Sequence, residues 1–298
     1  MTAQSTDTLR LVWPQWQGAG TASTSAMTSD LPAEHTRDAY AVGTRVLDAL
    51  IDTPNARTER VPVPAIDDPA VTEGVESKPI VLEQLREALA IIARHNPARI
   101  LTIGGDCSVS AAPFASMMQR YGNDLAIIWV DSHPDLDTPG TDYAGYHAMV
   151  LAHLIGKGDA DTLAMLPATI DPSRVAIAGL HSWTPDVTPH IDTWGITAFA
   201  PDTLRENSAP LLAWLKETGC TKVAIHFDVD VVDSNDLILG LGTEPNGLTL
   251  AQATRLVHDI DEAADVVALT IAEYIPRQVI RLMHTLNTFP LIHQPNDP

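Results

Sequence analysis

The sequence predicts an α/β protein with a parallel β-sheet covered by helices. Short apolar runs alternate with amphipathic stretches, eight of these runs have the composition of buried strands, and acidic motifs directly follow three of them. The 298 residues, 45% hydrophobic and 19% charged, have a globular composition and can bury a substantial core. Since no linker or internal repeat divides the chain, we expect a single domain over residues 1–298.

The eight strands are predicted from apolar runs of four to seven residues that are bounded by turn-forming or polar residues. They are Leu9–Trp13, Arg60–Val63, Arg99–Ile103, Leu125–Val130, Arg174–Ala178, Ile196–Phe199, Lys222–Phe227 and Val266–Ala272. Between them, apolar residues recur at helical spacing, which predicts helices at Glu34–Ile51, Leu82–His95, Tyr146–Ile155, Pro210–Thr218, Leu250–Ala264 and Gln278–Thr288. Ser208 and Thr249 are predicted to cap the helices that follow them.

Charge and composition restrict the classes of partner and the compartment. A formal net charge of −20 argues against nucleic acid and anionic membrane surfaces, which attract clusters of Lys and Arg, and it suits a small cationic substrate. The amino terminus lacks a basic region followed by an apolar stretch, and no window approaches the ~18 apolar residues of a membrane span. The 2 cysteines give no disulfide framework, so we expect a cytoplasmic protein.

Three acidic motifs follow predicted strands and carry the main functional signal. They are Gly104-Gly-Asp-Cys107, Asp131-Ser-His133-Pro-Asp135-Leu-Asp137 and His226-Phe-Asp228-Val-Asp230. The carboxyl ends of parallel strands share one edge of the sheet, so these motifs should converge there. So many carboxylates cannot be buried together in the ionised state without cations. The sequence therefore predicts a site for more than one divalent metal ion.

Each motif taken alone also has a structural interpretation. Asp131 to Asp135 could be a solvated turn, and Cys107 either a small buried apolar residue or a metal contact. Asp137 could accept a hydrogen bond from a residue that binds the metal, or it could contact the substrate. His226 and His181 are left unassigned. Oxygen ligands with few nitrogens favour Mn, Mg or Ca over a structural zinc.

Two further residues lie at positions suited to chemistry. His147 follows a loop rich in Pro and Gly, and Glu273 follows a predicted strand, where it could receive a cation. An unrelated phosphohydrolase using Mg is the competing enzyme class. It would need a phosphate cradle, and neither the Gly-x-x-x-x-Gly-Lys pattern nor the Gly-x-Gly-x-x-Gly pattern is present.

The order of these motifs resembles that of the ureohydrolases, which include arginase, agmatinase, guanidinobutyrase and formimidoylglutamase. The family pattern is Gly-Gly-Asp-His-Ser, Asp-Ala-His-x-Asp, a His after a loop, Ser-Phe-Asp-x-Asp and a Glu after the last strand. The counterparts in this chain are Gly104-Gly-Asp-Cys107-Ser, Asp131-Ser-His133-Pro-Asp135, His147, His226-Phe-Asp228-Val-Asp230 and Glu273. The resemblance covers about residues 99–275, and five motifs in the same order are specific.

The resemblance implies a three-layer α/β/α fold with an eight-stranded parallel sheet, assembly into trimers or hexamers, and a centre of two Mn²⁺ ions. By position, Asp131 and Asp228 would bridge the metals, His133 and Asp230 would complete one site, and Asp135 and Cys107 the other. His147 would correspond to the His that shuttles a proton, and Glu273 to the Glu that receives the guanidinium group.

The chain also departs from the family pattern. Cys107 stands at the position of a metal-binding His, Asp137 at that of an Asn, and Tyr143 and Thr184 at those of head-group ligands. We therefore expect the metal site beside Cys107 to be weak or altered and the substrate to differ from L-arginine. An apolar or neutral substrate tail is expected from the loop residues Trp16, Leu237, Ile238 and Leu239.

These observations predict a hydrolase of a C–N bond in a guanidino or amidino compound. Asp135 or Asp230 would stabilise developing ammonium character, and His147 would return a proton to the leaving amine. The alternative is a non-catalytic or weakly active family member with a degraded metal site.

Overall fold

The computed structural model describes residues 7–21, 24 and 36–292. The strands in chain order are β1 (Thr8–Trp13), β2 (Arg57–Arg60), β3 (Val71–Thr72), β4 (Val75–Glu76), β5 (Arg99–Gly104), β6 (Leu125–Val130), β7 (Val175–Ala178), β8 (Thr197–Phe199), β9 (Lys222–Asp228) and β10 (Asp265–Ala272). β3 and β4 form a separate small hairpin, and the other eight strands form one sheet in the order β2-β1-β5-β10-β9-β6-β7-β8. All neighbours in this sheet are parallel, as predicted.

Helices cover both faces of the sheet. In chain order they are α1 (Ala39–Leu50), α2 (Lys78–His95), α3 (Ala111–Tyr121), α4 (Val150–Leu154), α5 (Ala160–Met165), α6 (Thr188–Trp194), α7 (Pro201–Leu204), α8 (Ala209–Thr218), α9 (Leu250–Ala263) and α10 (Val279–Leu286). Alternate residues of β6 enter opposite cores: Ile127 belongs to the core that includes residues of α2, α3 and α4, and Ile128 to the core that includes residues of α1, α8, α9 and α10. The predicted three-layer fold is therefore confirmed. Among the described residues, no helix is long and apolar enough to cross a membrane.

Seven of the eight predicted strands match observed strands to within one residue at each end. The exception is Arg60–Val63, which is wrong, since the strand is Arg57–Arg60. Within the described part of the chain this edge strand pairs only with β1, so its side chains need not be apolar. The N–H of Val61 still donates to the carbonyl of Val12 at 3.0 Å, but Pro62 has no N–H with which to continue the ladder.

The helix predictions differ mainly at their ends. Of the helix predicted over Glu34–Ile51, Ala39–Leu50 is helical and residues 36–38 form a turn, while Glu34 lies outside the described residues. Tyr146–Ile155 is a 3₁₀ turn at Tyr146–Met149 followed by α4. Thr249 is confirmed as a cap through a reciprocal box with Gln252, whereas the side chain of Ser208 makes no capping hydrogen bond. Helix α3 was not predicted from the sequence; seven of its 11 residues are buried.

One buried histidine in the helices that cover the sheet, His153, has a lowered pKa. His153 of α4 is fully buried, and neither ring nitrogen has a hydrogen-bond partner in the described part of the chain. Its ring fits because residue 158 is glycine, since a Cβ there would overlap with the imidazole. Burial lowers the pKa of His153 to about 4.

Because of His153, we expect the folded protein to lose stability in mild acid. In the unfolded chain it binds a proton near pH 6.5, whereas in the folded protein it stays neutral down to about pH 4. The unfolded state therefore binds more protons in this window, so stability falls as pH decreases, by up to about 3 kcal/mol from this group. Chemical denaturation of wild type and His153→Leu at several pH values should show a shallower decline for the variant. Equal slopes would contradict the assignment.

Candidate metal centre

The acidic motifs lie at the carboxyl ends of four adjacent strands. β5 leads to Cys107, β10 to Glu273, β6 to Asp131, and β9 ends at Asp228. These strands are neighbours in the order β5-β10-β9-β6, so residues that are far apart in sequence meet at one edge. The structure therefore brings together the three motifs that were predicted to converge.

One group of possible metal donors comprises Asp131, His133 and Asp230, whose donor atoms lie within 4.8 Å of one another. The Nδ1 of His133 is 3.1 Å from Asp230 Oδ2 and 3.6 Å from Asp131 Oδ1. The hydroxyl of Ser132 donates to Asp230 Oδ1 at 2.6 Å, and the backbone N–H of His133 donates to Asp131 Oδ1 at 2.6 Å. These hydrogen bonds fix the orientation of both carboxylates.

A second group comprises Cys107, Asp131, His226 and Asp228, with donor atoms again within 4.8 Å of one another. The thiol of Cys107 donates to Asp228 Oδ2 at 3.0 Å, and the indole N–H of Trp129 donates to Asp131 Oδ2 at 2.9 Å. Asp131 belongs to both groups. Its carboxylate thus lies where it could bridge two cations.

The electrostatics of these groups favour bound cations. Burial and the carboxylate of Asp230 raise the pKa of Asp131 to about 7. Burial and the same neighbour also raise the pKa of Asp228, and burial together with Asp135 raises the pKa of the Cys107 thiol. The common causes are loss of water and repulsion between like charges, which divalent cations would relieve. The oxygen, nitrogen and sulfur donors present therefore fit a centre with two metal ions.

Asp135 is placed differently from the other predicted ligands. It is 3% exposed, its Oδ2 has no hydrogen-bond partner within the described ranges, and it belongs to neither donor group. Its backbone is left-handed, with φ of 48°, and its carbonyl accepts the N–H of Leu151 at 3.0 Å. Such a backbone conformation costs free energy and is common at functional sites. Because Asp135 belongs to neither donor group, its role as a metal ligand stays a prediction.

A hydrogen-bonded row of three side chains forms one wall of the site. Glu273 Oε1 accepts the backbone N–H of Cys107 at 2.9 Å and lies 3.0 Å from His147 Nδ1. The hydroxyl of Tyr143 lies 2.8 Å from His147 Nε2. Glu273 is also left-handed, with φ of 62°, and its N–H donates to the carbonyl of Gly105 at 2.7 Å. The two predicted catalytic residues His147 and Glu273 are therefore in direct contact.

The turn that carries Cys107 depends on close backbone packing. A Cβ at position 105 would overlap with the carbonyl of Gln15, so glycine is required there. The neighbouring Asp106 is buried and accepts the N–H of Gly18 at 2.9 Å. Asp106 therefore fixes the loop after β1 against this turn.

Members of both donor groups, together with His147 and Glu273, line a cavity of about 330 Å³. Its acidic lining consists of Asp135, Asp137, Asp228, Asp230, Glu244 and Glu273, and none of the described lining residues is Lys or Arg. Its aromatic and aliphatic walls come from Tyr40, Tyr143, Trp183 and Val187. The cavity therefore suits a small cation with an apolar portion.

The prediction that four loop residues form an apolar surface for the substrate tail is wrong. None of the four residues Trp16, Leu237, Ile238 and Leu239 lines the cavity. Leu237 and Leu239 are buried in the core, and Trp16 packs in a small cluster with Tyr40. The loop containing the three aliphatic residues nevertheless contributes Glu244, which lies 3.8 Å from His133 Nε2. Tyr143, Thr184 and Asp137, which mark departures from the family pattern, do line the cavity.

Comparisons with known proteins give a consistent result. A sequence profile described as the arginase family matches residues 33–286. An arginase of Eremothecium gossypii is 29% identical over 206 residues, which are 66% of this chain and 51% of that protein. An agmatinase of Chromobacterium violaceum is 26% identical over 205 residues, or 67% of this chain and 56% of that protein. The chain thus spans about half the length of the curated relatives it matches.

Solved structures show the same fold. The arginase from Bacillus caldovelox aligns with a TM-score of 0.75 at 18% identity, covering 97% of this chain and 99% of that one. The formimidoylglutamase from Bacillus subtilis aligns with a TM-score of 0.65 at 16% identity, covering 96% of this chain and 87% of that one. Because the family profile extends over most of its length, this chain belongs to the arginase family.

Proposed function

We propose that this protein is a metal-dependent hydrolase that cleaves a C–N bond of a guanidino or amidino compound other than L-arginine. The observation that carries this proposal is the cavity that is lined by Glu273, His147 and members of both candidate metal groups. A cavity with six acidic residues, and no Lys or Arg among its described lining residues, favours a cationic substrate. Membership of the arginase family supports the reaction class.

Two divalent metal ions are proposed at the edge of the sheet, with Mn²⁺ as the first candidate. Asp131 would lie between them, His133 and Asp230 would hold one, and Cys107, Asp228 and Asp135 would hold the other. When bound, such ions supply an acidified water for attack on a planar carbon.

Side chains that line the cavity would bind the substrate cation and give a proton to the leaving amine. Glu273 would pair with the delocalised cation in a planar two-point geometry. Asp135 would stabilise ammonium character as it develops on the substrate. As water adds to the central carbon, the C–N bond to the amine breaks, and the departing nitrogen accepts a proton. His147, which lies between Tyr143 and Glu273, is the proposed donor of that proton.

An activity screen tests this proposal. Purified protein, supplied separately with Mn²⁺, Co²⁺ and Zn²⁺, is assayed for release of urea, ammonia or amine. The panel contains arginine, agmatine, guanidinobutyrate, guanidinopropionate, formimidoylglutamate and hydroxyguanidines. We expect the highest kcat/KM for a guanidine without an α-carboxylate. The substrate assignment fails if arginine is the best substrate.

Asp137 should contribute to this selectivity. Its carboxyl group lines the cavity and would repel a substrate carboxylate. We expect Asp137→Asn to raise kcat/KM for arginine relative to agmatine by roughly tenfold, because a like-charge contact is removed. Asp142→Asn is the matched control, since Asp142 is exposed in the same loop and does not line the cavity. An unchanged ratio of the two kcat/KM values would show that Asp137 does not select against the carboxylate.

The alternative is a non-catalytic or weakly active protein. The hydrogen bond of 3.0 Å between the Cys107 thiol and Asp228 favours it, because a protonated thiol is a poor metal ligand. Absence of turnover on the whole panel with all three metals would support this alternative.

We also propose that residues 1–298 form one domain that assembles into a trimer or hexamer. Strands from both halves of the described chain share one sheet, which supports the single domain. Light scattering coupled to size-exclusion chromatography measures the assembly.

A further inference from the structure

His226 is a buried histidine with one unused nitrogen that faces the candidate metal centre. It lies on β9 two residues before Asp228, so both side chains project from the same face of the strand. The residue is 0% exposed, and its Nδ1 lies 2.8 Å from the hydroxyl of Ser110. Its Nε2 has no hydrogen-bond partner in the described ranges and lies 3.8 Å from Asp131 Oδ2.

The surroundings hold this imidazole in a fixed orientation. Its ring stacks on Trp129 with centroids 3.6 Å apart and an interplanar angle of 4°. Trp129 is also its neighbour across the β6–β9 pair. Buried histidines normally use both nitrogens in hydrogen bonds. In His226 one ring nitrogen is held by the Ser110 hydroxyl, and the other lies near a carboxylate without a hydrogen-bond partner in the described ranges. This is the arrangement of a metal-binding histidine.

We propose that His226 Nε2 and Cys107 Sγ join Asp131 and Asp228 as the four donors of one metal site, which prefers Zn²⁺ or Co²⁺ to Mn²⁺. Donor atoms of these four residues lie within 4.8 Å of one another. A set of one sulfur, one nitrogen and two oxygens suits a four-coordinate ion of borderline softness. The group of Asp131, His133 and Asp230 has two carboxylates and one imidazole and remains suited to Mn²⁺. The inference rests on the metal centre of the proposed function and assigns His226, in place of Asp135, to the site that contains Cys107.

Titration of metal-free protein with Co²⁺ under anaerobic conditions tests the assignment. We expect a thiolate-to-cobalt charge-transfer band in the near ultraviolet together with intense visible bands typical of four-coordinate Co²⁺. Zn²⁺ should displace this Co²⁺, and an equal excess of Mn²⁺ should not. In His226→Phe, which keeps an aromatic ring beside Trp129, the affinity of this site should fall at least roughly 100-fold. The same affinity and spectrum as in wild type would overturn the proposal.

A second variant keeps the test decisive if His226→Phe fails to fold. Ser110→Ala retains both proposed ligands and removes the hydroxyl that holds Nδ1. We expect it to weaken Co²⁺ binding about 10- to 100-fold, as is usual for loss of a partner of a metal-bound histidine. Ser116→Ala on helix α3 is the matched control and should bind Co²⁺ like wild type, because its hydroxyl bonds to the carbonyl of Ala112. Unchanged Co²⁺ affinity in Ser110→Ala, with no charge-transfer band in wild type, would overturn the proposal.

The metal titration and the activity screen can fail independently. A charge-transfer band that His226→Phe abolishes supports the ligand assignment even if no guanidine is turned over, in which case the proposed reaction is wrong. Conversely, turnover by a protein with two Mn²⁺ ions and no charge-transfer band would overturn the ligand assignment and support the proposed reaction.

Discussion

Replacement of Asp131 by asparagine is expected to abolish tight binding of both metal ions and to reduce kcat/KM by roughly 10³-fold, equivalent to about 4 kcal/mol. Asp131 is the one residue that belongs to both donor groups, and it is 0% exposed. An amide of the same shape removes its negative charge and leaves one oxygen as a weak ligand. Metal analysis after dialysis and steady-state kinetics on the best substrate measure the two effects.

Asp192→Asn is the matched control for this variant, because Asp192 is exposed on helix α6. It should retain the metal content and activity of wild type. In metal-free protein the variant removes a buried charge that is repelled by Asp230, but its amide nitrogen cannot accept an N–H, so either the Trp129 or the His133 donor loses its partner. Retention of two tightly bound ions in Asp131→Asn would contradict the bridging role.

Replacement of Glu273 by glutamine should cause the second largest effect, a loss of about 3 kcal/mol, or roughly 10²-fold in kcat/KM, expressed mainly as a higher KM. The amide oxygen of the glutamine could still accept the N–H of Cys107, so the turn should persist. The negative charge that pairs with the substrate cation and faces His147 would be lost. Steady-state kinetics and calorimetric binding of a guanidine competitor separate KM from kcat.

Glu217→Gln controls for the change of charge, because Glu217 is exposed near the end of helix α8. Its kinetics should match those of wild type. Metal content should be normal in both glutamine variants, since Glu273 belongs to neither of the two groups that contain Asp131. If Glu273→Gln had the KM of wild type, the substrate cation would bind elsewhere in the cavity.

Much of the sheet was predictable because its strands are buried on both faces. Runs such as Leu125–Val130 are continuously apolar, and the polar residue that follows marks the edge of the sheet. Asp131 and Asp228 could therefore be placed at the candidate site from sequence. The edge strand Arg57–Arg60 could not be predicted, because exposure on one side allows it to be polar throughout.

The parts of the site that sequence missed depend on side-chain direction and distant packing. The free nitrogen of His226 is set by Trp129 and Ser110, which come from different elements. Tyr40 reaches the cavity from helix α1, and no local pattern marks it. Trp16 was expected at the cavity on the basis of its loop, but it packs against the Arg37 side chain, with 5.5 Å between guanidinium carbon and ring centroid.

The strand order also has a consequence for synthesis of the chain. β5 and β6 are consecutive in the main sheet's chain order, yet β10 and β9 separate them in the sheet. A nascent chain that has emerged only through β8 therefore has two separate ribbons, each with an unpaired edge facing the gap. Cys107 and Asp131 are already present at that stage, but Asp228 is not. Neither candidate donor group would therefore be complete before the last two strands are inserted, and until then the two open edges could pair with other chains.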